Sequence, residues 1–216
     1  MVAARAGADP GPSARPPVEE VLAGLLAGSL SPGRSLAEHV LQDAARLDLA
    51  IYEAVAATPA PALDEPLRRL SIAANRSALW FAIAIGLAAV GGRRGRRAAI
   101  SGVASILVAS AVVNLPVKSL YERDRPDRPG DLPRHVRMPA SSSFPSGHSA
   151  SGFAFATAVG RELPVLALPL RGLAAAVAYS RVHTGVHYPG DAIAGSLLGG
   201  SIGLTVSGVV ERRLGR

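Results

Sequence analysis

The residues best equipped for chemistry stand in three short clusters. The richest is Ser180-Arg181-Val182-His183-Thr184-Gly185-Val186-His187-Tyr188-Pro189-Gly190-Asp191. A guanidinium clamps an oxyanion, a neutral imidazole attacks phosphorus or carbon, and a nearby carboxylate fixes the imidazole's tautomer. His183, His187 and Asp191 also fall at intervals of four, a spacing that puts metal ligands on one helical face. Gly185, Pro189 and Gly190 interrupt the continuous helix such a site needs, so a metal is not expected.

The second cluster, Ser143-Phe144-Pro145-Ser146-Gly147-His148-Ser149, directly precedes an apolar segment. Pro and Ser at a helix start are ordinary capping residues, and His148 can be incidental to them. The same geometry also makes an anion site: free N–H groups at the positive end of a helix dipole, Gly147 allowing close approach, and Ser146 adding a hydroxyl. The third cluster is Lys118, six residues, then Arg125 and Pro126. Basic residues at a membrane boundary often only snorkel to headgroups. Yet 22 of the 23 basic residues are Arg, and the single Lys is Lys118.

The elements that must position these clusters follow from composition. Of the 216 residues 49% are apolar and only 4% aromatic, and there is no Cys. Ala, Leu, Val, Ile and Gly in this proportion suit close-packed membrane helices better than a β-rich core. The net charge of +7 punctuates apolar stretches and forms no stripe with interleaved aromatics, so a nucleic-acid partner is not expected. The fold class expected is an all-α integral-membrane helical bundle with about five transmembrane helices preceded by amphipathic ones.

Residues 1–17, rich in Pro, Gly and Ala, read as a disordered tail. Within residues 18–76, segments 18–30 and 35–57 carry apolar residues at spacings of three and four between many charges, which predicts interfacial helices. Residues 77–213 form the transmembrane core, with apolar runs at Ser77 to Gly92, Ala98 to Val117, Gly147 to Gly160, Leu170 to Ser180 and Ala192 to Val210. The second run, at 20 uncharged residues, makes about 30 Å of helix, enough to span. The first and third are short for lone spans. Between the runs lie a polar loop from Lys118 to Ser146, a turn from Arg161 to Pro169, and a loop from Ser180 to Asp191.

In this order the three clusters resemble the signature of the type-2 phosphatidic acid phosphatase family: Lys-x6-Arg-Pro, Pro-Ser-Gly-His and Ser-Arg-x5-His-x3-Asp, matched without a substitution. The resemblance extends from about Leu63 to Val210. It implies a lipid phosphate substrate and a phosphohistidine intermediate, with catalytic roles for His187 (nucleophile), Asp191 (orienting His187) and His148 (acid, then base). It further implies that Lys118, Arg125, Arg181, Ser146 and the Gly147 amide bind the phosphoryl oxygens, without metal or cofactor. His183 has no role in the family pattern and is expected to be structural. Lipid phosphotransferases share the motifs, as do soluble vanadium-dependent haloperoxidases, against which the apolar segments argue. A non-catalytic lipid-binding protein is the rival from another class.

Basic loops predict the orientation. Arg93 to Arg97, Arg161 and Arg212 to Arg216 on the cytoplasmic side bring all three clusters to the outer face of the cell membrane. Arg68, Arg69 and Arg76 then lie outside as well. A polyprenyl diphosphate, phosphatidic acid and phosphatidylglycerol phosphate all fit such a site, the first by a small margin. Arg128, Arg134, His135 and Arg137 are candidates for engaging either a second phosphate or merely lipid headgroups, which charge alone does not decide, and homo-oligomer formation stays open.

Overall fold

The computed structural model describes residues 35–128, 130 and 132–214. The expected tail at 1–17 and the amphipathic segment at 18–30 lie outside the described residues. Two compact units divide the chain, residues 1–51 and residues 52–216.

The described part of the first unit is the beginning of helix α1 (Leu36–Ala57). A reciprocal cap starts it: Ser35 N donates to Glu38 Oε2 at 2.8 Å, and Glu38 N donates to Ser35 Oγ at 3.3 Å. Two of the unpaired amides of the first turn are thereby satisfied.

The second unit holds the end of α1 and helices α2 (Pro61–Ala73), α3 (Ala78–Val90), α4 (Gly92–Val112), α5 (Gly147–Glu162), α6 (Ala167–His183) and α7 (Pro189–Leu214). Among the described residues there is no strand. The α4 helix runs on through a π turn (Val113–Val117) to Leu120, so Lys118 closes a helix and does not open a loop. Likewise α6 reaches His183 and α7 starts at Pro189, which shrinks the expected Ser180 to Asp191 loop to a five-residue turn at 184–188. The polar residues of that stretch cap helix ends, so their polarity did not mark a loop.

All five apolar runs are helical. Among the described residues, three stretches are long and apolar enough to cross a membrane alone: Gly92–Leu120, Pro164–His183 and Pro189–Arg213. A fourth arises only if α2 and α3, bent by 62°, act as one broken span. At 16 residues α5 is too short by itself, and its buried positions run from Ser149 through Gly160 with few gaps. A helix apolar all round belongs inside, and α5 packs against α4, α6 and α7.

Small residues permit that packing. Ala150, Ala154 and Thr157 of α5 face Gly199, Gly200 and Gly203 of α7, Gly195 lies against Ser146 and Ser149, and a Cβ at position 199 would run into the backbone of Ala150. Without a hydrophobic drive between helices in lipid, close backbone approach is the main source of association. On the other side of α5, Phe155 fills the space over Gly102 and stacks at 5.5 Å on Trp80, which lies over Gly152.

The basic ends of the helices meet. Arg161 pairs with Glu211 at 3.2 Å and Arg97 with Glu162 at 3.6 Å, so three basic turns share one end of the bundle. Lys118, His148 and His187 stand at the opposite ends of these helices. The packing account predicts that Gly199→Ala destabilises the purified protein by about 1–3 kcal/mol, read as a lowered thermal midpoint in detergent. Gly86→Ala, with nothing within 4 Å of an added Cβ, is expected to be neutral or stabilising. Equal midpoints for both variants would contradict it.

Candidate active site

The turn between α6 and α7 places His187. Gly185 takes φ +71°, a left-handed conformation that suits glycine, and Val186 and His187 both donate their amides to Arg181 O. This tight return sets the His187 ring over the first turn of α7, where Asp191 sits with no exposed surface. The ring's Nδ1 lies 3.5 Å from Asp191 Oδ2. Asp191 also accepts from Ser143 Oγ at 2.5 Å, from Arg123 Nη1 at 2.8 Å and from the Tyr188 amide at 2.9 Å. A carboxylate taken wholly out of water needs such partners. The same Arg123 guanidinium lies 4.1 Å from the centre of the Tyr188 ring, a cation–π contact.

The other ring nitrogen of His187, Nε2, faces Arg125 Nη1 at 3.4 Å. Arg125 is itself held by backbone oxygens: its Nη1 donates to Val186 O at 2.6 Å, its Nε to Ser141 O at 2.9 Å and its Nη2 to Ser142 O at 3.2 Å. Burial pulls the Arg125 guanidinium below its ordinary pKa, and Asp191 opposes that shift. Lys118 reaches in from the end of α4, where the π turn has Lys118 N bonding back to Val113 O, and its Nζ donates to Ser141 Oγ at 3.0 Å. Widened turns of this kind are frequent at functional sites.

From α5, Gly147 and His148 complete the ring of residues. His148 Nε2 donates to the side-chain oxygen of Asn75 at 2.9 Å, which fixes the proton on that nitrogen. Lys118, Arg125, Gly147, His148 and His187 thus surround one pocket of about 220 Å³, to which Arg76, Ser110, Asn114 and Ser141 also contribute.

Two of the expected residues stand apart from that lining. Ser146 is fully buried as the N-cap of α5, accepting from the Ser149 amide at 3.4 Å and the Ser149 hydroxyl at 3.0 Å. Its role in the structure is to start the helix. Arg181 donates to Ser71 Oγ at 2.5 Å and borders a neighbouring recess with His148, although its charge still acts on His187. His183 turns away from both His187 and Asp191 and bonds Asp64 Oδ1 at 2.8 Å, tying α6 to α2. Of the four loop cations, Arg134 is buried and caps the end of α1 through Ala56 O and Thr58 O, and Arg128 staples Gly185 O to Val136 O. These two serve architecture; His135 and Arg137 border the recess.

Four partners escaped the sequence reading. Ser143 and Arg123 lie inside the second and third clusters, but nothing in a linear sequence says that they meet Asp191. Asn75 and Ser71 come from α2 and the break after it, which read as interfacial.

A model of the PAP2 superfamily matches residues 99–214. The chain belongs to the PAP2 superfamily. It is 35% identical over 172 residues to the decaprenylphosphoryl-5-phosphoribose phosphatase of Mycobacterium tuberculosis, covering 77% of this chain and 92% of that one. A transmembrane PAP2-type phosphatidylglycerolphosphate phosphatase from Bacillus subtilis shares the fold, with a TM-score of 0.60 at 22% identity over 92% of this chain and 98% of the other. Aquifex aeolicus LpxE gives a TM-score of 0.58 at 26% identity over 74% and 94%. The PAP2 match starts after α3, so Ser71, Asn75 and Arg76 lie before it.

Burial lowers the His187 pKa to about 4; the Asp191 hydrogen bond works against this, and the Arg125 and Arg181 charges add to it. A depressed histidine pKa means that the neutral imidazole persists as pH falls, and protonation sets in only near pH 4. An NMR titration of ring-labelled protein, with His187→Gln to assign the signal, is expected to show no protonation of His187 at pH 5.5. A midpoint near the ordinary 6.5 would contradict the site's electrostatics.

Proposed function

We propose that this PAP2 protein hydrolyses the phosphomonoester or diphosphate of a membrane lipid through a phosphohistidine at His187. The observation that carries the reading is the two-sided setting of His187: Nδ1 is backed by the buried Asp191, and Nε2 faces a pocket lined by Lys118, Arg125, Gly147 and His148. A neutral imidazole with one nitrogen engaged by a carboxylate is a nucleophile at the other.

In the first step Nε2 forms a bond to phosphorus while the bond from phosphorus to the leaving oxygen breaks, and protonated His148 gives that oxygen its proton. In the second, His148 takes a proton from water as the water oxygen attacks phosphorus. The P–N bond then breaks, inorganic phosphate leaves, and both histidines return to their starting states. Lys118, Arg125 and the Gly147 amide hold the equatorial oxygens, whose charge grows and spreads in the transition state. Arg181 adds its charge from behind His148, and Ser146 acts by fixing the helix start that presents Gly147. With these cations in place, the reaction needs no metal.

The pocket, at about 220 Å³, takes a phosphoryl group and its linking oxygen, and is smaller than the roughly 300 Å³ at the low end of drug-sized sites. The tail therefore lies outside it, among the helices. The activity printed for the mycobacterial relative, which aligns over 92% of its length, favours a polyprenyl-linked phosphate. The shared basic end of the bundle supports a cytoplasmic position for Arg93 to Arg97, Arg161 and Arg212, and hence an extracytoplasmic site in the cell membrane.

The test is phosphate release by purified protein from polyprenyl phosphates, phosphatidic acid and phosphatidylglycerol phosphate, with His187→Ala as the blank. At least one lipid is expected to release phosphate at a rate that His187→Ala lowers by about 1000-fold or more. Equal release by variant and wild type would remove the assignment.

A further inference from the structure

Beside the phosphoryl pocket lies a second recess of about 720 Å³, bordered by Arg68, Arg76, His135, Arg137, His148 and Arg181. Its lining holds four arginines and two histidines and no carboxylate. Glu65, outside the lining, accepts from Arg68 Nε at 2.8 Å and from Arg69 Nε at 2.6 Å. Arg181 is only 2% exposed, and its Nε has no hydrogen-bond partner among the described residues although Nη1 is held by Ser71. Like charges gathered on one recess repel each other unless an anion joins them.

The recess is contiguous with the site already described. His148, Arg76 and Pro139 belong to both linings, so they form the wall between the two spaces. Arg76 reaches this position because the chain breaks there: Arg76 and Ser77 take φ of 52° and 59°, left-handed values rare outside glycine, and the helices on either side are bent by 62°.

In-line displacement fixes what must enter the second space. The leaving oxygen departs opposite the attacking nitrogen, and His148 is the group that protonates it. The recess opens on the His148 side, so it receives the leaving group. A plain lipid alcohol would bring an apolar chain to this wall; four guanidiniums suit an anion.

On the phosphatase reading above, we infer that the recess is a second phosphate subsite and that the substrate is a lipid with two phosphate groups. The terminal one is removed in the His187 pocket, and the inner one is held by Arg68, Arg76 and Arg137. A polyprenyl diphosphate and a polyprenylphosphoryl sugar with a terminal phosphate both meet this description.

The experiment compares kcat/KM of the full chain, Arg68→Gln and Arg137→Gln on these two lipids and on the polyprenyl monophosphate of the same chain length, in neutral detergent. Each variant is expected to lose at least about tenfold more on one of the two-phosphate lipids than on the monophosphate, the size of one lost charge-assisted contact. Arg137→Lys is expected to recover part of that loss, and the monophosphate rate reports whether each variant is folded. Equal losses on all three lipids, or no loss on any, would overturn the subsite while leaving the phosphatase intact. An extra loss that appears only after phosphatidylglycerol is added, and equally for every substrate, would assign the recess to bulk headgroups and overturn it too. A wild-type protein that hydrolyses none of the three would remove the phosphatase reading itself, and the subsite with it.

Discussion

A single carboxylate governs the layout of this bundle's polar end. Asp191 is wholly buried at the start of α7, and an ion in that position is tolerated only when its oxygens are occupied. Its partners come from separate segments: Arg123 and Ser143 from the two ends of the loop between α4 and α5, Tyr188 from the turn before α7, and the His187 ring. Its backbone oxygen also accepts from the Ser146 amide at 3.0 Å, which ties the start of α5 to the start of α7. Satisfying one anion thus brings the loop, both helix starts and the imidazole to one place.

Close helix packing makes that convergence possible. The glycines of α7 let its backbone lie against α5, so the two helix starts end side by side. Around them stand Arg76 and three cations held by hydroxyl or carbonyl oxygens: Lys118 by Ser141, Arg125 by Ser141, Ser142 and Val186, and Arg181 by Ser71. Such an arrangement is preorganised for an oxyanion, because its dipoles and charges are oriented before any ligand arrives. The proposed chemistry asks for the same property: a neutral His187 held in one tautomer, and fixed positive charge where phosphoryl oxygens gather.

How much of this was visible in the sequence depended on the distance between partners. The three clusters, their order and the all-helical membrane bundle were legible, because each rests on local residue types or on runs of apolar residues. Helix ends were misplaced at Lys118 and Ser180, since polar side chains at a helix end look like loop residues. The contacts that complete the site were not legible: Arg123 meets Asp191 across 68 positions, Asn75 meets His148 across 73, and Ser71 meets Arg181 across 110. Arg134 looked like a phosphate ligand by charge alone, but it caps α1, a role that only the fold reveals.

The central claim is that His187 becomes covalently phosphorylated. The direct measurement is rapid quenching of the protein in alkali during turnover of a phosphate-labelled polyprenyl lipid, followed by peptide mapping. The account predicts an alkali-stable, acid-labile phosphoryl group on His187 and none in His187→Ala. A protein that turns over substrate at full rate with no phosphoryl group on His187, or with it on another residue, would contradict the account.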